Sequence, residues 1–528
     1  MSVFRPPSGF RDFTPDIMLL RREVISRIER VFQRYGFDPI DTPALEYWEV
    51  LKGKYGSEAE EKLVWRFTDP WSGREYALRY DLTVSLARFM ASHPGIPSPF
   101  KRYHIGKVWR HEEPQKSRYR EFYQCDVDVV NSPYPEADAE ILNVIIDVME
   151  EFNFTGYTIK LNDRRLLKGV FEEELGIKDP RPIYIIIDKL DKIGREGVLK
   201  QLKEKGLSEE KIAKIDELLS VRGEPDEMLK ELESKYGGNK SVSTGINHLR
   251  EMMPFLIDKS KVFFDLSLVR GLEYYTGPIF EVIVEKPRIG SLAGGGRYDN
   301  LIGMFTGREM PATGTTLGVE RIIDAGLELG IFKADKKTST EIYIVSIGES
   351  VRVNAWKLAG KLRKQGFNVQ VDLMRRKLGS QKEHASKLKV PIIIFLGEKV
   401  NLLHILGAII TIYGVKTVLG KPFKAKTFTT KAIILPITVS LLWGTNTVIF
   451  KYLLEQIHPI QAAFIRSFFS TIFLTPIFLL NVRKIKNIEV KHCASASLSG
   501  VISDSLSIIL WPVSYTHLRA HETEADLV

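Results

Sequence analysis

At 528 residues the chain has room for roughly three or four domains, each with its own core. Its 75 Lys+Arg against 66 Asp+Glu give a formal net charge of +9, which suits a polyanionic partner without specifying one. Two distant cysteines, Cys125 and Cys493, exclude a disulfide framework and a cysteine zinc site, and the start MSVFRPPSGFRDFTPD lacks the pattern of a secretory signal, so the main body is expected in the cytoplasm.

Leu20, Val24, Ile28, Val31, Phe32 and Tyr35 recur at helical spacing, with Thr14 as the expected cap, Pro15 at the first helical position and Gly36 as the stop. Residues 37–130 read as short strands separated by turns, including a hairpin through Trp71, Ser72 and Gly73. A helix from about Glu136 to Phe152 follows. From Asn162 to Asn247 the chain turns into Lys/Glu-rich helices, among them SEEKIAKIDELLS with Ser208 as N-cap. Strand-like segments resume at VFFDLSLV and PIFEVIVE, and AGGGRYDNLIG and ATGTTLGVERI close the domain. This is an α+β pattern of antiparallel strands with a helical insertion.

After the linker KADKKTST, strand EIYIVSI, a helix at about Val351–Gln365, strand FNVQVDLM, a helix through Lys389 and strand PIIIFLG predict a small parallel βαβαβ unit. Beyond Val400 the composition changes. AIILPITVSLLWGTNTVIF, residues 432–450, is uncharged and long enough to span a bilayer; two further apolar runs follow, with a basic cluster at Arg483, Lys484, Lys486 and Lys491.

The stretch FKRYHIGKVWRHEEPQKSRYREFYQCDVDV, residues 100–128, predicts two strands joined by a basic loop. Alternation places its polar side chains on one face, which a polyanionic ligand explains better than a core does. No P-loop or GxGxxG signature is present, so phosphates would be held by arginines through charge-assisted bonds. Arg110 in VWRHE, Arg270 in LVRGLEYY and Arg321 in GVERI fit that device, although such an arginine taken singly is more often a surface ion pair than a ligand.

Taken together, these segments resemble histidyl-tRNA synthetase, a class II aminoacyl-tRNA synthetase of archaeal or eukaryotic style, over residues 1 to about 400. PSGFRDFTPD with YGFDPIDTPALE resembles the family's first motif, at the dimer interface. Residues 100–128 resemble the second motif, GTTLGVERI the third, and LVRGLEYY and AGGGRYDNL the two segments peculiar to the histidine enzyme. The implied domains are a catalytic domain in two parts, 1–161 and 248–330, a helical insertion at 162–247, a truncated anticodon-binding domain at 338–400 and a membrane-like tail at 401–528.

The resemblance implies ATP-dependent ligation of L-histidine to tRNA(His) through a histidyl-adenylate, with Mg2+ and a homodimer. Arg110 and Arg270 would be catalytic; Arg110, Glu112, Phe122 and Arg321 would bind ATP. Asp81, Thr83 and Gln124 would meet the histidine α-amino group, Asp128 with Tyr274 or Tyr275 its imidazole, and Arg270 its carboxylate. Thr83 also reads as a helix cap and the tyrosines as core. Gln115 and Lys116 would face tRNA, or form a solvated turn. The magnesium ligands are not specified.

A catalytically inactive, histidine-sensing regulatory subunit of ATP phosphoribosyltransferase is the alternative within the fold, but it implies loss of the arginines and of the anticodon-binding domain. The tail resembles the first helices of an EamA-type transporter followed by adaptor-like sequence. This implies a chimeric join after about Val400, with membrane association only if the tail is genuine.

Overall fold

In the computed structural model, the residues described are 4–269, 274–287 and 289–397. A nine-stranded sheet organises the larger body. Its strands are β1 Asp38–Pro39, β2 Phe100–Trp109, β3 Glu121–Val130, β4 Tyr157–Asp163, β5 Arg222–Gly223, β6 Val262–Asp265, β7 Pro278–Val284, β8 Ala293–Arg297 and β9 Ala312–Gly318. The spatial order is β1-β2-β3-β9-β8-β7-β4-β6-β5. Its middle, from β2 to β4, is antiparallel throughout, while β1 joins β2 and β6 joins β4 in parallel.

The long strands pair over ten residues, Phe100 with Val130 through Trp109 with Glu121. Alternation divides β3 cleanly: Cys125, Val127 and Val129 enter the main apolar core with Leu20, Val24 and Ile28 of α1 (Pro15–Arg34), while the even-numbered residues face the opposite side. Helix α2 (Thr83–Ser92) belongs to a second core with Trp48, Tyr80 and Tyr298, and α3 (Pro135–Glu151) to the first. Helix α4 (Val319–Glu328) begins where β9 ends.

Two capping expectations change. Thr14 occupies the N-cap of α1, but its hydroxyl donates to Asp16 Oδ1 at 2.5 Å and accepts from no N–H of the first turn. At α2 Leu82 holds the N-cap position and the bond to a free helix N–H comes from the residue before it, Asp81, whose Oδ1 accepts from Val84 N at 3.1 Å, so Thr83 is a first-turn residue. Ser208 does cap its helix, accepting from Lys211 N.

The hairpin through Trp71–Gly73 forms in a separate three-stranded sheet of Leu45–Tyr47, Glu75–Leu78 and Arg66–Thr68, with Gly73 at a φ of 69°. Helices dominate from Arg181 to Met252; the last, Lys240–Met252, runs through the expected boundary at residue 247, so the break falls after it. The C-terminal strands Ile342–Ser346, Val369–Val371 and Ile392–Leu396 alternate with helices Arg352–Lys364 and Leu378–Lys387, the first strand lying between the other two. The expected apolar tail, like Arg270, lies outside the described residues. Among the described residues no helix is long and apolar enough to cross a membrane.

Candidate active site

A cavity of about 260 Å³ opens on the sheet face opposite α1. The sequence brings most of its expected residues there by three devices. Strand alternation presents Phe122, Gln124 and Asp128, the start of α2 presents Asp81 and Thr83, and the chain on either side of the sheet delivers Arg110, Glu112, Tyr274, Tyr275 and Arg321.

At one end sit the arginines. Arg110 donates through Nε to the Tyr80 carbonyl at 3.2 Å, and its guanidinium lies 4.3 Å from the Tyr80 ring centroid and 5.1 Å from that of Phe122. Burial works against its charge, but Tyr80, Glu112 and Asp81 outweigh that and raise its pKa. Arg321 donates through Nη1 to the Ser291 carbonyl at 2.8 Å; burial first, then the nearby Arg110 and Arg118, lower its pKa. Arg110 and Arg321 thus bring two guanidiniums to one end of the cavity, which suits an anionic ligand. Glu112 pairs with Arg118 at 2.8 Å, and although burial opposes it, that bond and Arg110 pull its carboxyl down.

The middle of the cavity is carboxylate and amide. Asp81 accepts from Tyr55 at 3.1 Å and from Tyr274 at 3.2 Å, and burial raises its pKa. Gln124 Nε2 donates to Thr316 Oγ1 at 3.2 Å, and Thr316 donates on to Asp126. This chain leaves Gln124 Oε1 as a buried acceptor with no partner among the described residues, which fits an ammonium donor.

At the far end, Asp128 is 2% exposed, accepts from Tyr298 and forms an ion pair with Arg102 at 2.6 Å. Gly314 stands opposite it across the β3–β9 pair, where a Cβ would collide with Asp128 Oδ1. Asp126, on the same face, is pushed up to about 7 by burial, with Arg102 opposing and Asp128 adding to the shift.

Ten of the thirteen expected residues thus line one cavity. Gln115 and Lys116 do not. Gln115 forms a bridge with Arg118, and Lys116, its side chain 72% exposed, pairs with Glu328 at 2.8 Å. Tyr298, Asp126, Thr316 and Gly314 were not assigned from sequence. Tyr298 stood in AGGGRYDNL and Asp126 among the alternating polar residues, whereas Gly314 acquires meaning only through the strand register. Among the described residues no three His, Cys, Asp or Glu side chains could hold a metal ion.

A large antiparallel sheet carrying a cationic and an acidic end in one cavity, without a glycine phosphate loop, defines a class II aminoacyl-tRNA synthetase. The histidyl-tRNA synthetase family model matches residues 9–322, that of the anticodon binding domain residues 341–401 and that of the EamA-like transporter family residues 430–523. The chain is 58% identical over 395 residues to a histidine–tRNA ligase of Aeropyrum pernix, and 56% over 394 residues to one of Korarchaeum cryptofilum; it covers 91% of each, using 75% and 74% of its own length. A crystal structure of histidyl-tRNA synthetase from Nostoc sp. PCC 7120 superposes with a TM-score of 0.65 at 31% identity, over 75% of this chain and 91% of that one. The chain belongs to the histidyl-tRNA synthetase family, and its reaction is the ligation of histidine to tRNA.

Proposed function

We propose that this cavity activates L-histidine with ATP and then charges tRNA(His). The observation that carries this reading is one cavity with Arg110 and Arg321 at one end and Asp81, Gln124 and Asp128 at the other. ATP would lie with its adenine on Phe122, its α-phosphate on Arg110 and its terminal phosphates on Arg321, with Glu112 near the exocyclic amine. The histidine ammonium would meet Asp81, Gln124 Oε1 and Thr83, and its imidazole Asp128 with Tyr275 beside it. Tyr274, whose hydroxyl is turned to Asp81, would act at the amino end.

A histidine carboxylate oxygen would attack the α-phosphorus as the bond to the β-phosphate oxygen breaks and pyrophosphate departs. A terminal ribose hydroxyl of tRNA would then attack the carbonyl carbon and release AMP. Arg110 and Arg270 would stabilise the charge that develops at phosphorus, so that the protein contributes positioning and electrostatics without a covalent intermediate of its own. Mg2+ bound to the triphosphate would neutralise the leaving pyrophosphate.

Gln115 and Lys116 belong to the reading as tRNA contacts that would have to leave Arg118 and Glu328. A homodimer through the first motif and a cytoplasmic location follow from the family alone. The domain limits proposed for the working enzyme are those read from the sequence, with the insertion ending after Met252. The EamA match supports a chimeric tail. The regulatory-subunit alternative is disfavoured by Arg110 and Arg321 in the cavity and by the anticodon-domain match at 341–401.

Histidine-dependent ATP–pyrophosphate exchange tests this assignment. Exchange should appear with histidine and with none of the other standard amino acids, and Arg110→Ala should reduce it by about 10²- to 10³-fold. Undiminished exchange in Arg110→Ala would overturn the role given to the cationic end.

A further inference from the structure

We propose that Arg102 is a positioning residue for amino-acid selection: from behind the cavity it supplies the counter-charge and the anchor that aim Asp128 at the imidazole. This role rests on the reading of Asp128 given above.

Arg102 does not line the cavity. It lies on β2 directly opposite Asp128 in the register, its side chain 0% exposed, and among the described residues Asp128 is its only ion-pair partner. Stability does not account for such a placement. Desolvating two charges offsets most of their attraction, so a buried pair of this kind is often no better than apolar residues of equal volume. What the pair does provide is direction. Asp128 is held on three sides, by Arg102 behind, by the Tyr298 hydroxyl, and by the backbone of Gly314, where only a missing side chain leaves space. Asp128 itself lines the cavity, at the end where an imidazole N–H would donate.

The second reason is charge. Asp126 and Asp128 lie two residues apart on one face of β3, both buried, and Asp81 faces them from the start of α2. Burial raises both strand carboxyls, and Arg102 is the largest influence pulling each back down. The other groups facing this layer do not replace it. His104, beside Arg102 on β2 and opposite Asp126, is held down to about 3 by burial and by the neighbouring arginines Arg102 and Arg79, and is therefore neutral. Arg79 spends its guanidinium on the Lys107 and Thr42 carbonyls and lies 3.8 Å from Asp41. From β9, Thr316 donates to Asp126; Tyr298 donates to Asp128, and Tyr275 is a neutral phenol. With one guanidinium in direct contact with one of two neighbouring carboxyls, the proton that such a pair retains falls on Asp126 and the charge on Asp128.

The test is histidine-dependent ATP–pyrophosphate exchange by the full chain carrying Arg102→Met, Arg102→Lys or Asp128→Asn, with KM for histidine followed from about pH 6 to about pH 9. Arg102→Met should raise KM for histidine about tenfold or more near neutrality, with kcat at saturating histidine and KM for ATP changing by less than about threefold. Its KM should fall as pH rises, because Asp128 without its counter-charge must lose a proton before it can accept from the imidazole. Arg102→Lys should restore a low KM with the wild-type pH profile. Wild-type KM and pH profile in Arg102→Met would overturn this role, as would a uniform loss of kcat that Arg102→Lys does not rescue. If Arg102→Met does not fold, a raised KM with an altered pH profile in folded Arg102→Lys would also overturn it. Should Asp128→Asn leave KM for histidine unchanged, the reading of Asp128 itself fails; a raised KM there beside an unaffected Arg102→Met condemns only the role of Arg102.

Discussion

Gly314→Ala places a methyl group against Asp128 Oδ1 in a region of continuous sheet where the backbone cannot retreat. The carboxylate would have to move, and KM for histidine is expected to rise by about tenfold or more while ATP affinity is kept, as measured by exchange kinetics. Tyr298→Phe removes one donor from the same carboxylate and should have a smaller effect in the same direction, about five- to tenfold. Side chains with charge or chemistry were legible in the sequence because their spacing on a strand or their motif announced them. Gly314 and Thr316 were not, since their function is to leave space or to relay a hydrogen bond to residues nearly 190 positions away. Arg102 and His104 were visible as charges in the stretch 100–128, yet alternation alone could not separate those entering the cavity from those buried behind it. Asp81, assigned to the ammonium, turned out also to make the capping bond expected of Thr83, which fixes its carboxylate before any substrate arrives.

Between elements, the clearest constraint is the ion pair of Arg21 on α1 with Glu320 at the first turn of α4, at 2.9 Å with both side chains almost fully buried. Glu320 also accepts from the Tyr123 backbone on β3, so one carboxylate ties the first helix, the central strand and the helix that carries Arg321. Arg21→Met leaves that carboxylate unpaired and is expected to cost about 3–5 kcal/mol in chemical unfolding, with much of the loss recovered in Arg21→Met/Glu320→Gln. A pH effect belongs to the same scale. His104 of β2 titrates at about 3 when folded, against 6.5 for a free imidazole, because burial, Arg102 and Arg79 oppose its charge. Between these values the unfolded chain binds the extra proton, so stability is fully present above the higher value and lost as pH falls toward the lower one. Asp126, pushed up to about 7, contributes a slope of opposite sign over the same range, so the share of His104 is read as a difference: relative to the wild type, the unfolding free energy of His104→Asn should rise as pH falls from about 7 to about 5, by up to about 1.4 kcal/mol per pH unit. The helices and strands themselves were largely readable: α1, α3 and the C-terminal alternation arose where periodicity placed them. So was the hairpin of β2 with β3, whereas the nine-strand order was not, because it depends on contacts far apart in sequence.

At the scale of the whole chain, every described residue lining the cavity falls between Asp81 and Arg321, within the synthetase family match. Ending the chain after residue 400 is accordingly expected to leave histidine-dependent exchange within about twofold of the full chain, and a larger loss would show that the tail supports the catalytic body. tRNA charging is a separate matter, since it draws on the anticodon-binding segment as well as on the cavity.

The most direct measurement is a crystal structure of the chain with histidinol and a non-hydrolysable ATP analogue. The imidazole is expected within hydrogen-bond distance of Asp128, the ammonium on Asp81 and Gln124 Oε1, the adenine stacked on Phe122 and the terminal phosphates on Arg321. An imidazole bound away from Asp128, or an adenine away from Phe122, would contradict the assignment.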